Sequence, residues 1–353
     1  MNYEEDFRNS MNNYGIDHIK NLKKIHKHLK VSYFKPHLPK YLNFLPYLWR
    51  MRVARYFFYK LQIKSLPKVD VAHVVDHQYA HIVDNINAKR KIITVHDLQP
   101  IILQKRYNRN PLLFKYSIRH LNLFNKIITI SNKSKYDLLK YTNAKKNKIQ
   151  VLYQPSQDEF NNKNFNKKYI QRYINENRSI KILTYASAEY KNFDTSLKVL
   201  SRLSKKFPNS CILNFGKIAN NPYENMKNKI IELPFMSRKN QNNIYRSADC
   251  LLFPSFFEGY GLPCVEAMNS NLPVISSNIP SIKEIMGNAG IYCKPLDVEC
   301  FVKKITKLIT NNKFYSKKKT QLKERKKFFD KRKYYKDLLK IYGVWSKLIL
   351  NLK

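Results

Sequence analysis

Short, continuously apolar segments alternate with helical segments along most of this 353-residue chain, and no other sequence feature restricts the fold as strongly. In the first half, such segments occur at residues 71–75, 91–95 and 126–130. Strands that are apolar along their whole length are buried on both faces, and strands that are joined through helices pair in parallel. The alternation therefore predicts an α/β fold built on parallel sheets.

The alternation is interrupted at a polar segment that divides the chain in two. Residues 156–178 are rich in Asn and Lys, and strand-like segments resume at residue 181. We therefore predict two Rossmann-like, doubly wound domains that face a cleft, because such sheets bind ligands outside the carboxyl ends of their strands. The predicted boundaries are 1–160 for the N-terminal domain, 161–178 for a linker, 179–335 for the C-terminal domain and 336–353 for a helix that packs back on the N-terminal domain. Residues 1–15 lead straight into a helical pattern with no apolar opening strand, so we expect a first strand of the N-terminal domain to be missing or altered, and a short strand is predicted at 31–34.

The charge balance is strongly basic. Lys and Arg number 66 against 25 Asp and Glu, which gives a formal net charge of +41. Such an excess favours an anionic partner, either nucleic acid, an acidic membrane surface or a phosphate-bearing substrate, but a well-solvated basic surface explains it equally well. No recognised nucleic-acid-binding module is present, so no specific nucleic-acid partner is expected.

The cysteines and the apolar segments indicate the compartment. Five cysteines form no close pair and no zinc-binding spacing, so we expect no disulfide framework and a reducing environment. The N-terminus has no secretory signal, and no run of 18 apolar residues occurs, so a cytoplasmic location is expected.

Two basic helical segments, residues 41–63 and 303–336, stand out from this background. The first mixes aromatic residues such as Trp49 and Phe57 with Arg50, Arg52 and Arg55. A helix of this kind can lie in an anionic membrane interface, but an ordinary packed helix with basic side chains at its margin has the same composition. Peripheral membrane association is therefore one of two open interpretations.

The block at residues 253–268 combines two carboxylates with the start of a helix. A strand ends at Phe253, a loop carries Glu258, and Pro263 stands near the start of the next helix, where proline is favoured. Glycines at 259 and 261 let the backbone approach a ligand closely, and the N–H groups of a helix N-terminus favour an anion. Glu266 lies about one turn into this helix, on the face that looks back towards the loop. The block therefore predicts a site for an anionic ligand that also carries hydroxyl groups.

This block resembles the signature of the retaining family 4 glycosyltransferases, the group known as glycosyl transferases group 1. The shared pattern is Pro-Ser-x-x-Glu-Gly-x-Gly-Leu-Pro-x-x-Glu-Ala-Met at residues 254–268, and further matches lie at 94–98, 130–134, 191–192, 271–277, 280–284 and 287–290. The resemblance implies a GT-B type fold and a hexosyltransferase-type enzyme of cell-envelope polysaccharide synthesis. Such an enzyme moves a sugar, with retention of the anomeric configuration, from a nucleoside-diphosphate sugar to a glycan or lipid-linked acceptor. The departing phosphate accepts the acceptor's proton, and neither a metal nor a cofactor is required.

The resemblance also assigns roles to residues at matching positions. Glu258 would face the reacting carbon of the donor sugar, and His96 would face that sugar from the N-terminal, acceptor-side domain. Lys191 would neutralise the diphosphate, and Glu266 would bind the ribose of the nucleotide. The other donor-binding residues would be Gly259, Tyr260, Gly261, Leu262 and Glu284, and further candidates are Arg238, Lys217 and Ser131.

The chain departs from the family pattern just before Lys191, where residues 184–190 replace the usual glycine and arginine. Diphosphate neutralisation would then depend on Lys191 and a second cation, either Arg238 or Lys217. Two alternatives to an active transferase therefore remain open at this point, a non-catalytic family member that binds a nucleotide or a sugar, and a polyanion-binding protein.

Overall fold

The computed structural model of the protein describes residues 1–2, 9–26, 28–107, 111–155, 158–161, 166–173, 179–186, 188–216, 218 and 224–344. The chain divides into two compact units. The first comprises Met1–Gln154 together with Lys331–Lys353, and the second comprises Pro155–Asp330. The second unit is thus an insertion between two segments of the first.

The sheet of the first unit is entirely parallel. Its strands are β1 (Val69–Val74), β2 (Ala88–Val95), β3 (Lys126–Thr129) and β4 (Ile149–Val151). They lie in the order β1-β2-β3-β4, with Ile93 of β2 opposite Ile127 of β3. Among the described residues this order advances in one direction, so the reversal expected of a doubly wound sheet is not found in this unit.

Helices cover both faces of this sheet. They are α1 (Asn9–Ile25), α2 (Tyr47–Val53), α3 (Tyr59–Lys64), α4 (Gln99–Ile102), α5 (Leu112–Ile118), α6 (Asn132–Tyr141) and, near the end of the chain, α14 (Lys331–Tyr342). A π-helical turn, Ala54–Phe58, joins α2 to α3. Ile93 and Ile127 belong to a buried cluster on one face, whereas Ile92 and Ile128 pack with Leu338 of α14 on the other. The continuous apolar strands are buried on both sides, as the sequence predicts.

The predicted strand at 31–34 is wrong. These residues are in no sheet, and Tyr33 is exposed. Phe34 instead packs against the core of the first unit, with its ring centroid 5.6 Å from that of Tyr59 in α3. An apolar pair such as Val31 and Phe34 fits an anchored loop as well as a strand, and four residues are too few for periodicity to distinguish the two.

The sheet of the second unit has six parallel strands and a reversal. The strands are β5 (Lys181–Tyr185), β6 (Cys211–Phe215), β7 (Ile230–Leu233), β8 (Cys250–Phe253), β9 (Val274–Ser277) and β10 (Ile291–Cys293). Their order is β10-β9-β8-β5-β6-β7, so the connections run outward in opposite directions from the adjacent pair β5 and β8. This is the Rossmann order, in which ligands bind at the carboxyl ends of the two strands that flank the reversal.

The helices of the second unit are α7 (Lys167–Gln171), α8 (Phe193–Lys206), α9 (Arg238–Ser247), α10 (Leu262–Asn269), α11 (Pro280–Met286), α12 (Val298–Thr310) and α13 (Asn312–Lys326). Their apolar faces pack on the sheet; Leu200 of α8 and Phe301 of α12, for example, share a buried cluster with Ile182 of β5. The predicted α/β class with parallel sheets is confirmed.

The described part of the predicted linker, residues 161 and 166–173, belongs to the second unit rather than lying between two domains. Nearby, Phe160 is completely buried, with its ring 5.3 Å from that of Tyr245 in α9, and Ile170 of α7 is buried as well. These apolar anchors are isolated among Asn and Lys, so composition alone predicts a linker. The C-terminal segment that belongs to the first unit begins at Lys331 rather than at residue 336.

The cysteines differ in part from the sequence expectation. Cys211, Cys250 and Cys264 are free and buried, as expected of small core residues. Cys293 at the end of β10 and Cys300 in α12 form a disulfide, with their Cα atoms 5.9 Å apart. No disulfide framework was expected, but this single bond forms because the turn between β10 and α12 folds back and brings together two residues that are seven apart in the sequence.

Candidate active site

The candidate site is formed where two loops leave the strands that flank the reversal. The loop after β5 carries Lys191 at the end of a 3₁₀ turn, Glu189–Lys191. The loop after β8 carries Glu258 and leads into α10. Because β5 and β8 are adjacent and parallel, both loops emerge at the same edge of the sheet. Residues that are distant in the sequence therefore share one site.

Lys191 and Glu258 form a buried ion pair. Lys191 Nζ donates a hydrogen bond of 2.7 Å to Glu258 Oε1, and the two side chains are 10% and 9% exposed. The ammonium group also lies 4.8 Å from the ring centroid of Phe253 and 5.2 Å from that of Tyr190. Burial by itself lowers the pKa of Lys191, but the Glu258 carboxylate opposes this effect and, with Tyr190, raises the pKa above its ordinary value. Lys191 is therefore held in its charged form at the sheet edge.

Asn192 fixes the position of Lys191. Its backbone adopts a left-handed conformation with φ of 57°, which asparagine tolerates better than most residues. Its side-chain amide donates hydrogen bonds to the carbonyl oxygens of Pro254 (3.0 Å) and Pro295 (2.8 Å), and it accepts one from Thr195 (3.1 Å). The Asn192 side chain thus ties the loop after β5 to the loop after β8. The sequence pair at 191–192 predicts a functional Lys191, but it does not predict the positioning role of Asn192.

The helix α10 begins at a glycine that has a strict conformational requirement. Gly261 is the N-cap residue and has φ of 92°, a region that side chains disfavour, and a Cβ atom there would overlap the side chain of Ile282. Pro263 occupies the first turn, where its missing N–H costs no hydrogen bond. The N-terminal end of α10 therefore directly follows the loop that carries Glu258, and this end of the helix favours negative charge.

Glu266 is the centre of a second buried network. Arg238 at the start of α9 donates to its Oε1 (3.0 Å), and the Tyr245 hydroxyl donates to its Oε2 (2.8 Å). The Tyr185 hydroxyl lies 2.6 Å from that of Tyr245, which extends the chain of hydrogen bonds to the end of β5. Burial raises the pKa of Glu266, and Arg238 and Tyr245 only partly oppose the rise. Tyr185 and Tyr245 were not singled out from the sequence, since no local motif marks them.

The remaining candidates of the second unit lie on or near the same elements. Gly259, Tyr260 and Gly261 are buried in the loop before α10, and Leu262 is its first residue. Glu284 lies in α11, and its backbone carbonyl accepts a hydrogen bond from Arg325. Lys217 lies outside the described residues.

His96 and Ser131 belong to the first unit. His96 follows β2, is 4% exposed, and its Nε2 donates to the carbonyl of Val75 (2.9 Å). Ser131 is the N-cap of α6, and its hydroxyl accepts from the backbone N–H of Ser134. The Ser134 hydroxyl in turn donates to the carbonyl of His96 (2.8 Å), so the two sequence motifs meet in the fold.

No metal-binding group emerges from the described parts of the chain, where no set of three His, Cys, Asp or Glu side chains is arranged to hold an ion. His73 and His81, which the sequence spaces at four-residue intervals with His77, have other hydrogen-bond partners. His73 bonds to the hydroxyls of Thr94 and Tyr342, and His81 bonds to Ser117 and to the carbonyl of Arg55. These histidines serve packing and hydrogen bonding in the first unit.

Comparison with known proteins agrees with the geometry of this site. Residues 166–327, which contain the site, match the family described as glycosyl transferases group 1. The O-antigen chain mannosyltransferase RfbU of Salmonella typhimurium is 29% identical over 59% of this chain, and the chain spans 58% of that relative's length. These matches support the glycosyl transferases group 1 family.

Two solved structures show the fold. WaaG, a glycosyltransferase involved in lipopolysaccharide biosynthesis, superposes with a TM-score of 0.67 at 13% identity and covers 95% of each chain. HepE of Anabaena, solved in complex with UDP-glucose, gives a TM-score of 0.65 at 12% identity, over 92% of this chain and 89% of its own. The fold is thus the α/β fold with parallel sheets of the GT-B glycosyltransferases.

Proposed function

We propose that the protein is a glycosyltransferase that moves a sugar from a nucleoside-diphosphate sugar to a glycan or lipid-linked acceptor, with retention of the anomeric configuration. The observation that carries the proposal is the convergence of Lys191, Glu258 and the first turn of α10 at the reversal of the second sheet. This combination offers positive charge to a diphosphate and a carboxylate to a sugar. The similarity to a mannosyltransferase of O-antigen synthesis favours mannose as the sugar and a cell-envelope polysaccharide as the product.

The proposed reaction uses the charge of the site in a defined way. The bond between the anomeric carbon and the diphosphate oxygen breaks, and the electron pair leaves with the phosphate. Lys191 and the positive N-terminal end of the α10 dipole stabilise the charge that develops there. The acceptor hydroxyl forms the new bond on the same face of the sugar and transfers its proton to the departing phosphate. Because these protein groups already supply positive charge, we propose that no metal ion is required.

The ion pair between Lys191 and Glu258 bears directly on donor binding. A diphosphate that binds Lys191 must compete with the 2.7 Å contact to Glu258. The Glu258 carboxylate then loses its ammonium partner, and the donor sugar must replace that partner. A positively charged oxocarbenium-like transition state does this better than a neutral ground state, so Glu258 contributes most during the reaction. Glu266 would accept hydrogen bonds from the ribose through the lone pairs that Arg238 and Tyr245 leave available.

The experiment is a donor screen on the purified protein, with GDP-mannose, UDP-glucose and UDP-N-acetylglucosamine, followed by the release of nucleoside diphosphate. Transfer or slow hydrolysis of one donor is expected. The turnover rate of Glu258→Gln should be at least about a hundredfold lower, because the substitution removes a charge that acts in the transition state. Glu299→Gln, which alters a carboxylate 72% exposed on α12, is the matched control.

Three results would contradict the proposal. Unchanged turnover in both Glu258→Gln and Glu266→Gln would remove these carboxylates from the reaction. Donor binding detected by calorimetry without transfer or hydrolysis would favour the non-catalytic alternative. Salt-sensitive binding to DNA without donor binding would favour the polyanion-binding alternative instead.

We further propose that the protein acts in the cytoplasm and associates peripherally with an anionic membrane through the helical segment Tyr47–Lys64. Four large apolar side chains of this segment are more than half exposed: Leu48, Trp49, Phe57 and Leu61. They alternate with cationic residues such as Arg52, whose guanidinium lies 5.8 Å from the Trp49 ring centroid. Exposed apolar side chains combined with basic ones suit the negatively charged cytoplasmic leaflet. Among the described residues, no helix is long and apolar enough to span a bilayer.

Vesicle flotation tests this association. Binding to vesicles that contain phosphatidylglycerol is expected, and Trp49→Ser together with Phe57→Ser should weaken it. Replacement of the polar, exposed Asn43 by serine is the control. Equal binding of all three proteins, or no binding by the unmodified protein, would exclude this segment as the membrane contact.

A further inference from the structure

A cavity of about 410 Å³ lies in the second unit, and Tyr245, whose hydroxyl donates to Glu266, is the residue that it shares with the candidate active site. Its wall is formed by the ends of α9 and α10 and by one face of α13. The active-site loop joins the N-terminal end of α10, whereas Asn269 at its C-terminal end lines the cavity. An eight-residue helix is about 12 Å long, so the loop that carries Glu258 lies roughly that far from Asn269 along the helix, whereas Glu266, three residues before Asn269, lies about 4.5 Å away along it.

The side chains that line the cavity are strongly basic. Arg246 from α9 and Lys319, Lys323 and Lys326 from α13 all line it, and among the described lining residues there is no Asp or Glu. The three lysines are spaced by four and three residues, which brings them to one face of α13. Four cations around one concave space repel each other, and this repulsion is relieved when an anion binds between them.

Other cations on α13 have a structural role, and Lys319 and Lys323 differ from them. Lys318 donates to the carbonyl oxygens of Asn288 (2.8 Å) and Gly290 (3.1 Å), and Arg325 donates to that of Ile285 (2.8 Å). Within the described parts of the chain, Lys323 has no such hydrogen bond or ion pair. The helix thus separates cations that cap backbone groups from cations that face a cavity.

The same contrast holds for Lys319 and Arg246. Lys319 contacts the face of the Tyr315 ring at 5.2 Å, and, in the part of the chain that the structure describes, neither Lys319 nor Arg246 pairs with a carboxylate. The acidic residue beside the wall, Asp249, accepts a hydrogen bond from the backbone of Lys181 (2.7 Å) and lies 3.7 Å from its ammonium group. Asp249 is therefore directed to a different cation.

From this arrangement we infer that the cavity is a binding site for a phosphate-bearing ligand, distinct from the proposed donor site. Phosphate carries up to two charges and several acceptor oxygens, which suits several amino and guanidinium groups around one space. Amide side chains at Asn269 and Asn271 line the same cavity and provide partners for hydroxyl groups of the molecule that carries the phosphate. The ligand is either a free phosphate compound or the headgroup of an anionic lipid. The inference does not depend on the proposed transferase activity.

Calorimetry with inorganic pyrophosphate tests this site at physiological salt, which screens weak surface attraction. The variant Lys319→Gln/Lys323→Gln removes two cavity cations, and Lys313→Gln/Lys317→Gln removes the same charge from exposed positions of α13 outside the cavity. The cavity variant should bind pyrophosphate at least about tenfold more weakly, since charge-assisted hydrogen bonds are lost. The control should bind as the unmodified protein does, and circular dichroism checks that both variants fold.

Further measurements show where the ligand binds and whether its phosphate belongs to a free compound or to a lipid. Pyrophosphate should protect Lys319 and Lys323, but not Lys313 or Lys317, from acetylation detected by mass spectrometry. The Lys191→Gln variant should still bind pyrophosphate in the cavity. Binding to phosphatidylglycerol vesicles with the same dependence on the cavity lysines, without pyrophosphate binding, identifies a lipid headgroup as the source. Equal losses in the cavity and control variants, or no binding of either probe, would overturn the inference.

Discussion

The buried pair of Lys191 and Glu258 allows a quantitative prediction about stability. Replacing Glu258 by methionine leaves the Lys191 ammonium group buried without its counter-ion, 10% exposed between aromatic rings. Removing one partner of a buried pair costs about 3–5 kcal/mol, whereas replacing both by apolar residues of similar volume is often nearly neutral. Urea unfolding at pH 7 should therefore show Glu258→Met less stable by about that amount, and Lys191→Met/Glu258→Met should recover at least about 2 kcal/mol of it.

The dependence on pH provides an independent check on the same pair. In the unmodified protein the pKa of Lys191 is raised, so its contribution to stability is present below its unfolded pKa and is lost as the pH rises through the folded value. In Glu258→Met, burial dominates and lowers the pKa of Lys191, so stability should increase with pH up to the unfolded pKa. Strictly additive effects in the double variant, or parallel pH profiles for the two proteins, would refute the reasoning.

Three further predictions concern other parts of the protein. Burial lowers the pKa of His18 to about 4 and that of His73 well below its ordinary value. The free energy of unfolding should therefore fall as the pH drops from 6.5 towards 4, by about 3 kcal/mol for His18 alone. Urea unfolding at a series of pH values across this range measures the change. Tyr245→Phe, which removes the hydrogen bond to Glu266, should raise the donor KM by about three- to tenfold with a smaller change in kcat. Steady-state kinetics measure both constants, and a change in kcat larger than the change in KM would contradict the prediction. Addition of EDTA should leave the transfer rate unchanged, and recovery of a lost rate by Mg²⁺ or Mn²⁺ would contradict the proposed metal-free chemistry.

The second sheet could be predicted from sequence almost residue by residue, for a physical reason. Strands β5, β6, β7 and β8 lie where short, largely apolar segments occur in the sequence, although Asn214 interrupts β6 and Glu232 interrupts β7. The order of these strands could not be predicted from such runs, since hydrophobicity fixes burial but does not fix which strands pair. A doubly wound sheet implies a reversal, but only the fold shows that β5 and β8 flank it and that their two loops therefore come together.

The candidate site was predictable only where a local motif marks it. Glu258, Glu266 and the glycines lie in one block, whereas Lys191 meets Glu258 across 67 residues of sequence. Arg238 is a candidate cation for a diphosphate, and the structure shows that it also pairs with Glu266. Contacts of this kind depend on packing between elements, and no periodicity or composition encodes them.

The insertion of the second unit within the first has a practical consequence for protein engineering. The core of the first unit includes Leu338 and Tyr334 of α14, which the ribosome makes only after the whole of Pro155–Asp330. A fragment that stops at Gln154 would leave Ile92 and Ile128 on that face of its sheet without these partners, so it should aggregate unless Lys331–Lys353 is supplied. The inserted segment is one unbroken stretch with its own core, which makes it the piece to express alone or to exchange with a relative.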